Sequence, residues 1–204
     1  MTLVSPLQLP EFEFRDLQAM PVAMAAALGG GQIILDYFQR GVQMRNKENE
    51  AAFNLVSDAD VESEQTIAGI IQQHFPEHAI LGEEEHSGSV DAEHLWIVDP
   101  LDGTNNFAHR IPHFAVSIAY YHRGQAECGV VVNPVRGDWY WAQRGAGAYH
   151  NGRRLAVSTA SRLDQAMVGC GFYYDRGAMM EATLAAVHGF FKQQIHGIRR
   201  FGTA

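Results

Sequence analysis

The spacing of apolar residues changes at Pro76, and this change limits the folds that the chain can adopt. Before it, apolar residues recur at three- and four-residue steps from Phe12 to Phe38 and again from Ser57 to His74, which predicts two helices. After it, short apolar runs follow a period of two, which indicates strands. Two helices, several antiparallel strands and a closing strand–helix–strand unit predict an α+β fold.

Prolines, glycines and polar runs mark the predicted limits of these elements. We expect Pro21 to kink or restart the first helix, Gly29–Gly31 to soften it and Gly41 to end it. The polar residues 42–54 are predicted to form an exposed loop. A later helix is predicted at Arg176–Phe191. Strands are predicted at Ala79–Leu81, Leu95–Val98, Phe114–His122, Ala126–Asn133, Asp138–Gln143, Ala148–His150, Ala166–Gly171 and Gln193–Ile198.

Three parts are predicted along the chain. Residues 1–10 hold two prolines and no apolar pattern, so we expect a loose tail. Residues 11–154 are expected to form an α+β domain that ends after a hairpin signal at His150–Arg153. Residues 155–204 are expected to begin a second, α/β domain.

Composition argues against two classes of partner. The chain of 204 residues has a formal net charge of −8, whereas proteins that bind nucleic acid usually present a basic face. The apolar stretch Met20–Leu35 contains a proline, three glycines and Gln32, so it is a poor membrane span. No secretory signal is visible. We therefore expect a soluble, cytoplasmic protein without a nucleic-acid or membrane partner.

Three acids follow two short predicted strands and are candidates for a metal site. Glu83 follows the strand 79–81, and Asp99 and Asp102 follow the strand 95–98. Carboxylates that converge repel one another, and their proton affinities rise unless a cation neutralises them. Ligand sets made only of oxygen favour Mg²⁺, Mn²⁺ or Ca²⁺ over Zn²⁺. A site for a hard divalent cation is therefore predicted.

The residues after Asp99 are suited to a turn that binds phosphate. Pro100 is expected to stiffen this turn, so that the Leu101 carbonyl can face the metal as a neutral ligand. Gly103 permits close approach of the backbone to a ligand. Thr104 offers a hydroxyl and an N–H at the start of a short helical turn, where free N–H groups bind phosphate.

The segment Asp99–Pro112 resembles the signature of the inositol monophosphatase family of Mg²⁺-dependent, Li⁺-sensitive phosphatases. The segments Asn54–Asp60, Ile80–Glu84 and His196–Ala204 resemble further family segments in the same order. The resemblance implies the layered α/β/α/β/α sandwich of the inositol monophosphatase type. It also implies a later family segment with one more metal-binding Asp, so the second half of the fold is expected to be C-terminally incomplete at Ala204.

The resemblance further implies hydrolysis of a phosphate monoester with bound metal ions. The implied metal ligands are three carboxylates and one backbone carbonyl: Glu83, Asp99, Asp102 and Leu101. They would hold two or three Mg²⁺ ions, with Mn²⁺ as an alternative. Inositol monophosphate or a related small monoester is the implied substrate, and histidinol phosphate, nucleotide bisphosphate and sugar bisphosphate stay open. A catalytically incomplete family member or fragment with a binding or assembly role is the alternative.

Catalytic and substrate-binding roles are carried over in the same way. The Thr104 hydroxyl would help to orient the attacking water, Asp60 would position Thr104 or its surroundings, and Glu83 completes the implied catalytic set. The residues implied to contact the substrate, at its phosphate or its alcohol portion, are Asp102, Gly103, Thr104, Thr203 and Ala204. The resemblance also implies a homodimer.

Basic and imidazole side chains near these motifs have simpler interpretations. Lys47 lies in the polar loop and could reach the active site or stay solvated. His86 and His94 flank the acidic loop and are expected to be surface residues. His109 and His113 are four apart, but the proline between them argues against a shared helical face, so a histidine metal site is not expected.

Overall fold

The computed structural model describes residues 5–11, 17–41, 44–46, 55–172 and 177–203. Backbone contacts divide the chain into two units. The first contains the residues up to Leu155 together with Thr203–Ala204, and the second contains Ala156–Gly202. Both units combine helices with strands, so the predicted α+β class is confirmed.

The first unit is built on one large sheet. Its helices are α1 (Ala19–Arg40), α2 (Asp58–His74) and α3 (Thr104–Ala108). Its strands are β1 (Met44–Asn46), β2 (Leu55–Ser57), β3 (Ala79–Leu81), β4 (His94–Asp102), β5 (Ala115–His122), β6 (Gln125–Asn133), β7 (Asp138–Gln143), β8 (Gly147–His150) and β9 (Arg153–Arg154). Strands β3 to β9 pair in sequence order, with β3 parallel to β4 and every later pair antiparallel.

A separate antiparallel pair joins β1 to β2. The prediction of a loop throughout 42–54 is therefore wrong for Met44–Asn46, because these residues pair with the strand that leads into α2. Such a pairing depends on a partner strand in another part of the sequence, which a local polar pattern does not reveal. Lys47 lies outside the described residues, so the interpretation of this side chain stays a prediction.

The core of the first unit lies where α1 and α2 pack against the sheet. Gly30 lies at the crossing of the two helices: a Cβ there would be 2.6 Å from Ile67 Cδ1 and 2.7 Å from Ser63 Oγ. The helix α1 continues through Gly29–Gly31, so the expected soft point is wrong. Gly29 and Gly30 have no side chain to separate the two helices, so α1 and α2 approach closely, whereas Gly31 faces Leu7 and the sheet.

The helix α1 is long and apolar enough to cross a membrane, judged by length and composition alone. However, 61% of its most apolar window is buried inside the fold, which is the environment of a core helix. Pro21 lies in the first turn, where the N–H that proline lacks would have no helical partner. It therefore does not kink the helix, which begins only two residues before it and ends at Arg40, directly before the predicted terminator Gly41 with φ 89°.

The second unit contains a small parallel sheet. A 3₁₀ turn at Leu163–Gln165 precedes β10 (Met167–Gly169), and α4 (Ala178–Lys192) connects β10 to β11 (Gly197–Arg199). The predicted strand–helix–strand order is confirmed, although both strands are shorter than predicted. A helix is the usual connection between parallel strands, which cannot be joined by a tight turn.

Candidate active site

The strand β4 carries both aspartates near its end, and a β-bulge separates them. Asp99 pairs with Ser117 and Asp102 pairs with Ala115, so three steps along β4 match two along β5. Pro100 lies within this irregularity, which suits a residue without an N–H to donate. The predicted turn between the two acids is therefore wrong, because the strand continues to Asp102.

The carboxyl groups of Glu83 and Asp102 come close enough to Asp99 to perturb it. Burial and then the charges of Glu83 and Asp102 raise the pKa of Asp99 to about 8, and Glu83 also forms a hydrogen bond with it. The Leu101 N–H donates to Asp99 Oδ1 at 3.2 Å and opposes this shift only in part. Three carboxyl groups in such proximity fit a divalent cation, whose charge would favour their ionised forms.

The chain leaves this cluster through a short, well-defined connection. Leu101 is buried in the core, and its carbonyl accepts the Thr104 hydroxyl at 3.0 Å. Gly103 has φ 92° and ψ 34°, a left-handed conformation that favours glycine, and it leads from β4 into α3. Thr104 therefore begins a helix, as predicted, although this helix has only five residues.

The helix α2 supports the bulge from inside the fold. Ser63 donates its hydroxyl to the Pro100 carbonyl at 3.3 Å. Asp60 lies one turn earlier on the same face of α2 and is fully buried. This placement is compatible with the predicted positioning of Thr104 by Asp60, and that role stays a prediction.

Thr203 lies against the acidic cluster, although it is 101 residues away from Asp102 in the sequence. Its hydroxyl oxygen is 2.9 Å from Asp102 Oδ2 and 3.1 Å from the Asp102 carbonyl oxygen. The structure therefore brings together Asp102 and Thr203, and their predicted contact with the substrate stays a prediction. Ala204 lies outside the described residues.

The residue that holds the Glu83 loop is Glu64, which the sequence did not reveal. Its side chain is fully buried, and its oxygens accept the backbone N–H groups of Glu84, Glu85 and His86 at 2.7, 2.8 and 2.9 Å. The His86 ring nitrogen Nδ1 lies 2.8 Å from the same carboxylate. Burial acts to raise the pKa of Glu64, but the hydrogen bonds outweigh it and lower the pKa. An ionised carboxylate therefore fixes the loop.

Two further observations show how closely this loop is fitted to Glu64. A Cβ at Gly82 would lie 2.4 Å from the Glu64 carboxylate, so the loop needs a glycine there. His86 faces Glu64 and is only 25% exposed, so the expectation of a surface residue is wrong. One sequence signal could have found Glu64: it lies one helical turn after Asp60, on the face already assigned to the site.

The fold and the site together define an α+β protein with a cluster of carboxylate side chains at the end of a strand. A profile of the inositol monophosphatase family matches residues 16–204. The chain is 44% identical over 155 residues to a Pseudomonas aeruginosa protein named Nus factor SuhB, covering 74% of this chain and 56% of that protein. It is 38% identical over 158 residues to the inositol-1-monophosphatase of Caulobacter vibrioides, covering 76% of this chain and 61% of that protein.

A solved structure of a relative shows the same fold. The extragenic suppressor protein suhB from Bartonella henselae superposes with a TM-score of 0.84 and 34% identity, covering 92% of this chain and 72% of that one. The chain belongs to the inositol monophosphatase family. This confirms the predicted family and its layered fold type. The chain spans 56% of the length of the Pseudomonas relative and 61% of that from Caulobacter.

Proposed function

We propose that the acidic cluster hydrolyses a small phosphate monoester, inositol monophosphate or a related compound, with bound divalent cations. The observation that carries the proposal is the convergence of Glu83, Asp99 and Asp102, which raises the pKa of Asp99 to about 8. A bound cation would offset this repulsion. Family membership and the name of the Caulobacter relative support a phosphate monoester as the substrate.

Each residue of the cluster has a specific task in this proposal. Glu83, Asp99, Asp102 and the Leu101 carbonyl would hold Mg²⁺, with Mn²⁺ as the alternative. When bound, the ions would supply an activated water and neutralise phosphate charge. The Leu101 oxygen has two lone pairs, so it can accept the Thr104 hydroxyl and still ligate a cation.

The hydrogen bond from Thr104 to Leu101 also directs the Thr104 hydroxyl. Because its proton points at the carbonyl, the oxygen of Thr104 presents lone pairs outward. A water that donates to these lone pairs would be oriented toward the phosphate. The backbone of Gly103 would allow close approach of the phosphate, and Thr203 would lie beside the alcohol portion.

Phosphate release from inositol monophosphate, measured with and without Mg²⁺, tests this proposal. We expect Asp102→Asn to lower the rate more than about tenfold, since a metal ligand is removed. The exposed Asp91→Asn is the matched control and should leave the rate unchanged. Histidinol phosphate, a nucleotide bisphosphate and a sugar bisphosphate, assayed in parallel, rank the substrates.

Metal binding provides a readout that does not depend on turnover. Titration with Mn²⁺, followed by electron paramagnetic resonance, should show binding to the native chain and to Asp91→Asn but much weaker binding to Asp102→Asn. Equal Mn²⁺ binding in all three proteins would contradict the assignment of the cluster as the metal site. Hydrolysis that is independent of Mg²⁺ would contradict the proposed reaction.

A second candidate function comes from the relatives that are named Nus factor SuhB, one of them 44% identical. In this case the chain would serve in binding or assembly. Retained Mn²⁺ binding with no hydrolysis of any tested monoester would favour this role. We also propose a homodimer in the cytoplasm, on the resemblance and the composition; light scattering tests the dimer, and fractionation of cells tests the location.

A further inference from the structure

The beginning of β4 carries a second group of side chains with the donor atoms of a cation site. Glu93 precedes β4, His94 is its first residue, and His122 is the direct partner of His94 on β5. One potential ligand atom from each of the three residues lies within 4.8 Å of the others. Asp99 is five residues further along β4, so the group lies about 16 Å from the acidic cluster, at ~3.3 Å per residue.

Aromatic neighbours stack on the imidazole rings of this group. Because the stacked rings are parallel, the His122 side chain, which is 38% exposed, would turn to direct its nitrogen at the same cation as His94. The rings of His94 and His122 stack with centroids 4.6 Å apart and an interplanar angle of 6°. His78 also stacks on His94, at 4.3 Å and 4°, and accepts the indole N–H of Trp96 at 3.1 Å. His94 is therefore not the free surface residue expected from the sequence.

The hydrogen bonds of His94 decide which of its nitrogens can bind a ligand. Its Nδ1 lies 2.7 Å from the Tyr120 hydroxyl, so we assign Nε2 as the nitrogen that would bind a cation. A histidine that binds a metal through one nitrogen usually has the other fixed by a polar partner, which orients the ring. The Tyr120 hydroxyl supplies such a partner.

We propose that Glu93, His94 and His122 bind a borderline divalent cation of the Zn²⁺ type. Two imidazoles and one carboxylate form a ligand set that suits Zn²⁺ with an open coordination position. Mg²⁺ and Ca²⁺ prefer oxygen ligands alone and would favour the acidic cluster instead. The two ends of β4 would therefore select different classes of cation.

Arg123 competes with this cation for Glu93. Its guanidinium donates to Glu93 Oε1 from Nε at 3.0 Å and from Nη2 at 2.7 Å, and His122 Nε2 lies 3.6 Å from the same oxygen. The hydrogen bonds and charge of Arg123 also hold the pKa of Glu93 below its usual range, so the carboxylate is ionised. The side chains of Arg123 and Glu93 are both largely exposed, and ion pairs between exposed side chains open at little cost in free energy.

Calorimetric titration of the full chain with Zn²⁺, in saturating Mg²⁺, tests the proposal. We expect one Zn²⁺ site that His122→Gln and Glu93→Gln each weaken at least about tenfold, as loss of a ligand does. Arg123→Gln should tighten binding, because it frees Glu93. His150→Gln is the matched control. His150 pairs with Asp138 at 3.0 Å, outside the group, so its replacement should leave the Zn²⁺ affinity unchanged.

Absorption of bound Co²⁺ provides a spectroscopic readout of the same site. Imidazole ligands should give visible bands that His122→Gln abolishes and Asp99→Asn preserves. Zn²⁺ affinity that is unchanged in both His122→Gln and Glu93→Gln, with native melting temperatures, would overturn the proposal. So would affinity that is lost in Asp99→Asn alone, since the acidic cluster would then be the Zn²⁺ site.

Discussion

Replacing Glu64 with glutamine tests whether a buried charge holds the loop that carries Glu83. The glutamine amide has one acceptor oxygen where the carboxylate has two. When that oxygen takes the position of Oε1, an NH₂ group takes the position of Oε2, and the N–H of Glu84 loses its acceptor. An unsatisfied buried N–H costs about 1–3 kcal/mol, and three remaining bonds fall from charge-assisted to neutral strength, about 1 kcal/mol each. Removing the buried charge also removes its desolvation cost, which offsets part of this loss. We therefore expect the free energy of unfolding to fall by about 2–4 kcal/mol.

Urea unfolding and the Mg²⁺ dependence of activity measure this effect in two ways. The unfolding midpoint of Glu64→Gln should fall, and the Mg²⁺ concentration for half-maximal rate should rise at least about tenfold, because the loop of Glu83 is loosened. Glu62→Gln is the control: Glu62 lies on the exposed face of α2 and accepts only the Tyr37 hydroxyl in the described contacts. If Glu64→Gln lowers the free energy of unfolding by less than about 1 kcal/mol and leaves the Mg²⁺ dependence of the rate unchanged, the reasoning is refuted.

The acid dependence of stability provides a third readout of the same substitution. Folding lowers the pKa of Glu64 below its ordinary value of 4.5. Its contribution to stability is therefore complete above that value and is lost as the pH falls through the lower, folded pKa. Glu64→Gln should remove this part of the acid dependence, which a comparison of unfolding at pH 6 and pH 3 would detect.

Two further predictions concern the acidic cluster and the helix crossing. Because folding raises the pKa of Asp99 from 3.8 to about 8, the metal-free chain should lose stability as the pH rises through this window. In thermal melts with a chelator present, Asp99→Asn should abolish this loss of stability with rising pH. A variant whose stability depends on pH as the native chain's does would contradict the prediction. Gly30→Ala should cost about 1–3 kcal/mol in urea unfolding, because its Cβ would meet Ile67 at 2.6 Å. Gly69→Ala, where no atom lies within 4 Å, should instead be neutral or stabilising by up to about 1 kcal/mol, and equal effects at the two sites would refute the crossing argument.

Local patterns predicted most of the elements because helix and strand periodicities are set over a few neighbouring residues. The helix at Asp58–His74 and the strand at Ala79–Leu81 appear where the spacing placed them. The motif Asp99–Thr104 predicted an acidic cluster with Glu83, and the structure brings these residues together. Its geometry was wrong in one respect, since a bulge separates the acids where a turn was expected.

The errors share a physical origin, which is dependence on a distant partner. The bulge is defined only against β5, and the role of Gly30 only against Ile67 on α2. Glu64 is an ordinary helical glutamate in the sequence, and its burial depends on a loop about twenty residues later. None of these contacts leaves a periodic signal in its own segment.

The amino-acid sequence by itself determined the order of elements, the family and the residue types of the acidic site, because these follow from short-range patterns and from the motif Asp99–Thr104. Only the tertiary structure decided which charges are neutralised and by what. It buries Glu64 under three N–H groups, leaves Asp99 crowded by two other acids, and aligns His94 with His122. The physical reason is that burial and strand register set the electrostatic environment of a side chain, and both arise from residues distant in sequence.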